Sequence, residues 1–338
     1  MDIVFKKLSD LIEVIIRKRN EIYEAGKHPV YRSKKITISI GNLSFGGTGK
    51  TPLTIALARE LIELGMRPGI IGSGYKRKNK DINVVCDGER ILTDWQGAGD
   101  EMYLIAKKLN VPIVVHPKKF EAAKIIENFD IDVILLDDGF QHRELYRDVN
   151  LVIIDSFTIH NPKLPPVGEL REPIDSLKRA DLILTLEDIN IPEKFLQYVK
   201  YDPIRFNIVS EEPYDLFTGE KLVIDSMKAV GFCGIHNPER FLFKLVTDLV
   251  DVVHFKEFHD HHAYRTADLQ KLFKIAREKK VNTLMTTEKD AVKLEKYKDM
   301  FEENNMRLIV LPIELIITNG KNVLLEFITK KYELRENE

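Results

Sequence analysis

Through the first two hundred residues, short apolar runs alternate with stretches whose apolar residues recur at helical spacing. The runs at 36–40, 68–71, 111–115, 133–136, 151–154 and 182–184 have the length and Ile/Val/Leu content of buried strands. Between them, 52–64, 101–109 and 119–128 carry helical patterns. Apolar strands alternating with helices predict a parallel sheet covered on both faces. The proline-rich stretch 161–173 interrupts the alternation and reads as a functional loop or ordered connection. Near 203–225, Pro203, Pro213, Asp215 and Gly219 break the rhythm around short β-like pieces at 205–209 and 221–223. A second series follows: strands at 229–233, 252–255, 283–287 and 307–312, with helices at 238–249 and 267–279. The pattern predicts two lobes, 1–205 and 206–338, the second opening with the linker, and a cleft between them where ligands bind.

The first strand leads into the most specific local signal. Residues 36–53 run from an apolar strand through Gly46-Gly47-Thr48-Gly49-Lys50-Thr51 into a helix. Glycines let backbone N–H groups close around phosphate oxygens, and the helix N-terminus adds partial positive charge. Lys50 supplies a full charge near the β/γ-phosphates, and the Thr51 hydroxyl can ligate Mg²⁺. Ser44 stands where the phosphate-loop pattern has its first glycine. The fold class that follows is α/β: a P-loop NTPase-like parallel-sheet domain joined by a short β-type linker to a second, smaller α/β domain.

A second signal closes the strand at 133–136, where Asp137-Asp138-Gly139-Phe140-Gln141-His142 follows. An acid at this place in P-loop enzymes holds Mg²⁺, so Asp137 and Asp138 join Thr51 as candidate metal ligands. The carboxyl ends of parallel strands are also where open α/β sheets bind ligands. Gly99-Asp100-Glu101 precedes a helix; Asp100 is either a helix cap or an acceptor for a substrate hydroxyl proton. The histidine-rich run 258–264 leaves three readings open: a zinc site, a polar surface loop, or a histidine reaching across the cleft to Asp100. Residues 73–78 and Lys118-Lys119 are basic and could meet an anionic acceptor. Thr286-Thr287-Glu288-Lys289-Asp290 reads as a capping arrangement.

Composition narrows the function. The 338 residues are 44% hydrophobic and 31% charged with a net charge of −2, which gives nucleic-acid binding no support. Two distant cysteines, Cys86 and Cys233, fit a reducing compartment, and no stretch has the length and apolarity of a membrane span or signal peptide. The first 35 residues nevertheless hold nine Lys/Arg against five acids. Val4, Phe5, Leu8, Leu11, Ile12, Ile15, Ile16, Ile22 and Tyr23 repeat there at helical spacing, as one apolar face. That helix either packs on the domain or lies on an anionic bilayer surface.

Taken together, these motifs resemble the tetraacyldisaccharide 4′-kinase family over nearly the whole chain. The residues that carry the resemblance are Gly41-Asn42-Leu43 with the phosphate loop through Pro52, Gly74-Tyr75, Gly99-Asp100-Glu101, and Asp137 through His142. Leu170-Arg171-Glu172-Pro173, Asn237-Pro238 with Arg240-Phe241, Asp260-His261, and Thr286-Thr287 with Lys289-Asp290 extend it. The resemblance implies ATP and Mg²⁺ as cofactors, and transfer of the γ-phosphate to the 4′-hydroxyl of a tetraacylated glucosamine disaccharide 1-phosphate. It implies a catalytic set of Asp100, His261 and Lys50, with Tyr75, Glu101, Lys119, Gln141, His142 and Arg171 on the substrates. It also implies a peripheral place on the cytoplasmic face of the inner membrane, with a lipid substrate, no nucleic acid and no obligate protein partner, and it favours the membrane role of the first helix. Ser73, Lys119 and His236 depart from the family pattern. Two rivals remain: a membrane-associated P-loop ATPase switch, which Phe45 before the paired glycines argues against, and a kinase of a soluble acceptor.

Overall fold

The computed structural model describes residues 2–77, 79–248 and 250–337. Lys78 of the basic run and Leu249 of a predicted helix lie outside the described residues. The first lobe contributes β1 (Ile36–Asn42), β2 (Pro68–Gly72), β3 (Asn83–Asp87), β4 (Pro112–Val115), β5 (Val133–Asp137), β6 (Val149–Ile153), β7 (Leu182–Leu186) and β8 (Ile204–Ser210). The second contributes β9 (Tyr214–Asp215), β10 (Lys228–Cys233), β11 (Asp251–Glu257), β12 (Thr283–Thr287) and β13 (Arg307–Leu311); β14 (Ile313–Asn319) follows.

The large sheet runs β14-β8-β7-β6-β1-β5-β2-β4-β3. Its seven inner strands are parallel, and β14 and β3 pair antiparallel at the two edges. Strands β5, β2 and β4 lie on one side of β1, and β6, β7 and β8 on the other. The carboxyl end of β1 is therefore a topological switch point, where such sheets open a crevice for ligands. Period-two alternation explains the burial on both faces. Ile36, Ile38, Ile40, Val133 and Leu135 point to one face and pack with Leu53, Leu57 and Leu61 of the helix Lys50–Glu63. Ile134 and Leu136 point to the other and meet Ala122, Ala123 and Ile126 of the helix Lys119–Ile126.

The smaller sheet, β11-β10-β12-β13-β9, is parallel except for β9. It ends sooner than the expected range of 206–338. After Pro312 the chain returns to the first lobe: β14 pairs along β8 from Ile313↔Ser210 to Asn319↔Arg205. Leu315, with Leu324 and Ile328 of the helix Lys321–Glu336, joins the core of the large sheet. The alternation of Ile313, Leu315 and Ile317 is what a half-buried edge strand needs. The second lobe is thus an insertion between β8 and β14, held by two chain crossings.

The helix Asp2–Glu24 does not present a single apolar face. Ile12 and Ile16 pack against the cluster around Phe140 and Leu170. Ser9 Oγ donates to the Leu164 carbonyl at 2.9 Å, and Asn20 Nδ2 donates to Glu172 at 3.0 Å. Val4, Leu11, Val14 and Ile15 lie on the open side, 55–68% exposed. Among the described residues no helix is long and apolar enough to cross a membrane.

Candidate active site

Strand β1 delivers the chain into the phosphate loop, and Gly49 turns it into the helix Lys50–Glu63. Gly49 has φ of 93°, a left-handed conformation that a side chain would strain. A Cβ on Gly46 would lie 2.5 Å from the His236 ring, so glycine there admits a close approach from the second lobe. Ser44, the departure from the loop pattern, is buried; its Oγ donates to Asp155 at 3.1 Å and ties the loop to the neighbouring segment. Lys50 Nζ sits 3.2 Å from Asn42 Oδ1 and 3.5 Å from Asp138 Oδ1.

The two acids at the end of β5 have different surroundings. Asp137 is buried and accepts a 2.8 Å hydrogen bond from Thr54 Oγ1; burial, with the charge of Glu101 adding to it, pushes its carboxyl up to about 6. Asp138 takes a φ of 50° and turns toward cations: Arg171 Nη1 donates to both its oxygens at 2.8 Å. Burial opposes its charge, but Lys50, Arg171 and Lys119 hold the carboxyl well below the usual carboxylate range. Gln141 Nε2 donates to the Asn42 carbonyl at 3.0 Å, fastening this loop to the end of β1. His142 is pushed down to about 3 by burial and by Lys119, and so stays neutral. Lys119 differs from its expected place on the substrate. It is the first residue of its helix, directly under the end of β5, and its fully buried Nζ donates to the carbonyls of Asp137 and, at 2.7 Å, Asp138. It braces the loop, and burial lowers its pKa.

Asp100 and His261 meet across the cleft. Asp94 caps the preceding turn, Gly99 occupies the N-cap, and Asp100 begins the helix Asp100–Lys108. Its carboxylate lies 2.8 and 2.9 Å from His261 Nδ1. Burial alone would raise the Asp100 pKa. The His261 hydrogen bond and the charges of Lys289, His261 and Lys293 override it and hold the carboxyl below its ordinary value. Tyr75 stands edge-on to His261 with ring centroids 5.0 Å apart. The pair forms one wall of a cavity of about 650 Å³ that Tyr75, Lys76, Trp95 and Arg265 also line. Such a volume suits a sugar-sized ligand.

Two cations here have no role assigned from the sequence: Lys289 enters it only within a capping motif and the family resemblance, and Lys293 not at all. Thr287 does cap the turn after β12, bonded to Asp290 at 2.9 Å. The same turn aims Lys289 at Glu101 at 3.1 Å, and Lys293 reaches Asp290 at 2.7 Å and Asp100 at 3.7 Å. A capping motif gives no hint of what its intervening side chains face. His259 and His262 contact each other at 3.0 Å and lie beside the cavity. No group of three or more His, Cys, Asp or Glu able to hold a metal occurs among the described residues, which leaves the zinc reading without support. The phosphate loop takes a different ion. Carboxylate and hydroxyl oxygens suit Mg²⁺, which binds through few protein ligands and the substrate phosphates. Lys50 and Arg171 hold the Asp138 carboxylate ionised.

The chain as a whole is similar to known proteins. A family model described as tetraacyldisaccharide-1-P 4′-kinase, LpxK, matches residues 1–333. The tetraacyldisaccharide 4′-kinase of Halothermothrix orenii is 34% identical over 335 residues, covering 91% of this chain and 87% of that protein. The enzyme of that name from Vibrio cholerae serotype O1 is 33% identical over 287 residues, covering 84% and 81%. The crystal structure described as the apo form of LpxK from Aquifex aeolicus in complex with ATP matches at a TM-score of 0.79. It is 27% identical in sequence, over 96% of this chain and 98% of that one. With a parallel sheet, a phosphate loop at its switch point and a match along almost its full length, this chain belongs to the tetraacyldisaccharide-1-P 4′-kinase family.

Proposed function

We propose that Asp100 accepts the proton of the acceptor's 4′-hydroxyl while the phosphate loop holds ATP, and that the family reaction runs in the cleft between the lobes. The chain is an ATP-dependent tetraacyldisaccharide 4′-kinase. The observation that carries the residue assignment is the Asp100–His261 hydrogen bond, made by one residue from each lobe on the wall of a sugar-sized cavity. The steps balance simply. The acceptor oxygen bonds to the γ-phosphorus, the bond to the β-phosphate oxygen breaks, and the hydroxyl proton passes to Asp100. Phosphoryl transfer has a loose transition state, so a carboxylate of low basicity suffices as the acceptor.

Gly46, Gly47, Thr48 and Gly49 cradle the phosphates with their backbone N–H groups, and Lys50 meets the transferring group. Thr51 and Asp138, with Asp137 behind it, would hold Mg²⁺, which neutralises charge on the phosphate oxygens. Arg171 is poised beside that charge, and Glu101, Tyr75, Gln141 and His142 line the approach. An assay follows phosphate from labelled ATP into tetraacyldisaccharide 1-phosphate. ATP hydrolysis indifferent to this lipid, or transfer to a soluble sugar alone, would favour one of the two rivals.

The acceptor's acyl chains call for a membrane, and the first helix supplies a surface for it. Its inner side is spent on the protein, and its outer side offers Val4, Leu11, Val14 and Ile15. With the basic residues around them, these support a peripheral position on the cytoplasmic face of the inner membrane, in a scheme with no nucleic acid and no obligate protein partner. Deleting the helix is a poor test, because Arg19 hydrogen-bonds the Gln141 carbonyl and Asn20 bonds Glu172, beside the phosphate site. Leu11→Glu with Ile15→Glu touches only the outer side. Vesicle co-sedimentation should show binding to anionic vesicles weakened roughly tenfold or more, given about 1.5–3 kcal/mol per buried large apolar side chain. The KM for lipid should rise and ATP affinity should hold. Unchanged vesicle binding would leave the outer side without this role.

A further inference from the structure

Lys76 and Arg265 bring positive charge to the cavity beside Asp100, one from each lobe. Lys76 follows β2, and Arg265 is the N-cap of the helix Thr266–Glu278. Lys76 takes a φ of 58°, a left-handed conformation that costs energy in a residue with a side chain. From that turn its Nζ crosses the cleft and donates to the Asp260 carbonyl at 2.9 Å, a neutral acceptor. Among the described residues neither cation has a carboxylate within ion-pair distance. The acids that line the same cavity are committed elsewhere. Asp100 holds His261 at 2.8 Å; Asp268 accepts from the Arg265 backbone N–H at 3.1 Å and lies 3.1 Å from His262 Nε2. The cavity therefore presents unmatched positive charge, which favours an anionic ligand. Trp95, the only tryptophan in the chain, is half-buried in its wall, and Tyr75 is 58% exposed there. Aromatic faces with a few placed charges suit a ring that carries an anion. None of the lining residues belongs to the phosphate loop, which the second lobe meets through His236 instead.

We propose that Arg265 and Lys76 bind the 1-phosphate of the acceptor, and that Trp95 is the platform for the glucosamine ring that carries it. The inference rests on the acceptor's occupying this cavity with its 4′-hydroxyl at Asp100. The guanidinium of Arg265 can meet two phosphate oxygens at once, and Lys76 adds a point charge. The 4′-hydroxyl and the 1-phosphate stand on different sugars of the disaccharide, so holding the phosphate decides which sugar reaches Asp100. A lipid entering the other way round would bring its phosphate to the Asp100 carboxylate, and like charges reject that orientation. Because the two cations come from opposite lobes, a phosphate shared between them also draws the lobes together over the substrate.

The test compares tetraacyldisaccharide with and without its 1-phosphate as acceptors for the full-length protein. The parent should prefer the phosphorylated lipid by roughly tenfold or more in kcat/KM, the worth of a hydrogen-bonded charge. Both cations are exposed, so Arg265→Gln and Lys76→Gln should leave the fold intact. Each should lower kcat/KM for the phosphorylated lipid roughly tenfold, chiefly through KM, and leave the unphosphorylated lipid and the KM for ATP nearly unchanged. Arg265→Lys should recover part of the loss. Equal losses on the two lipids would overturn the proposal, as would no loss on either. A raised KM for ATP with the lipid constants unmoved would give the cations to the nucleotide and overturn it too. Trp95 reports the ring directly: its emission should change as the phosphorylated lipid in detergent micelles saturates the protein, and unaltered emission would remove the platform. Failure of the Asp100 assignment would look different: Asp100→Asn would retain activity, with the preference for the phosphorylated lipid intact.

Discussion

Replacing Asp100 by asparagine should lower kcat by roughly 10²–10⁴-fold, the usual contribution of a positioned acid–base group. His261→Ala should cost a comparable factor. The double variant should be little worse than the worse single one, because residues that act as a unit are non-additive. The geometry gives the reason. His261 Nδ1 is 2.8 Å from Asp100 Oδ2, and both side chains are almost fully buried at the cleft, so each orients the other. Asparagine is the better choice at 100. Both replacements remove the charge that faces Lys289 and Lys293, but alanine also empties a buried position, whereas the amide keeps the shape and cannot accept the proton. Lys293 retains Asp290 at 2.7 Å in either case, so thermal unfolding should show a folded protein. ATP binding should be preserved in all three variants, since neither residue is in the phosphate loop. The measurement is kcat for the four-member cycle at saturating ATP and lipid. Fully multiplicative losses would mean that the two residues act independently, and sensitivity of His259 or His262 alone would displace His261.

Whatever depended on local order could be read from the sequence. The β1–loop–helix segment announces itself because strand, glycines, lysine and helix must follow one another to bind phosphate. The parallel sheet follows from apolar runs such as 133–136, buried on both faces. The return of the chain at β14 could not be read this way. Its partner β8 lies about a hundred residues earlier, and nothing in Ile313–Asn319 says which sheet edge it joins. The first helix shows a related limit. Periodicity collects Ile12 and Ile15 into one apolar set, yet packing takes Ile12 inward and leaves Ile15 out.

The same limit governs the site. The family resemblance paired Asp100 with His261, but the cations around them come from a turn that reads locally as a cap. Lys119 is the reverse case. A lysine next to a phosphate site reads as a ligand contact, and only the position of the β5 end above it reveals that its charge is consumed by two carbonyls. A side chain's chemistry can be read from its type, but its direction depends on what the fold brings to it.

Lys50→Ala should nearly abolish turnover and leave the fold intact. The charge at 50 stands at the first residue of the helix, beside the turn where Gly46 and Gly49 open the backbone to phosphate. Removing a cation aimed at charge that develops in the transition state commonly costs about 2.7–4 kcal/mol, or roughly 10²–10³-fold. The protein should tolerate the loss, because Asp138 does not depend on Lys50 alone. Lys50 Nζ lies 3.5 Å from it, while Arg171 holds both of its oxygens at 2.8 Å. Arg171→Ala should accordingly destabilise the fold more than Lys50→Ala, since it removes the hydrogen bonds and not only a neighbouring charge. Lys50→Arg should rescue little, because the fork of a guanidinium does not fit a point-charge position between Asn42 and Asp138. Single-turnover transfer to the lipid, with thermal unfolding run in parallel, checks each of these. Near-normal turnover in a folded Lys50→Ala protein would remove Lys50 from the reaction and with it the phosphate-loop assignment.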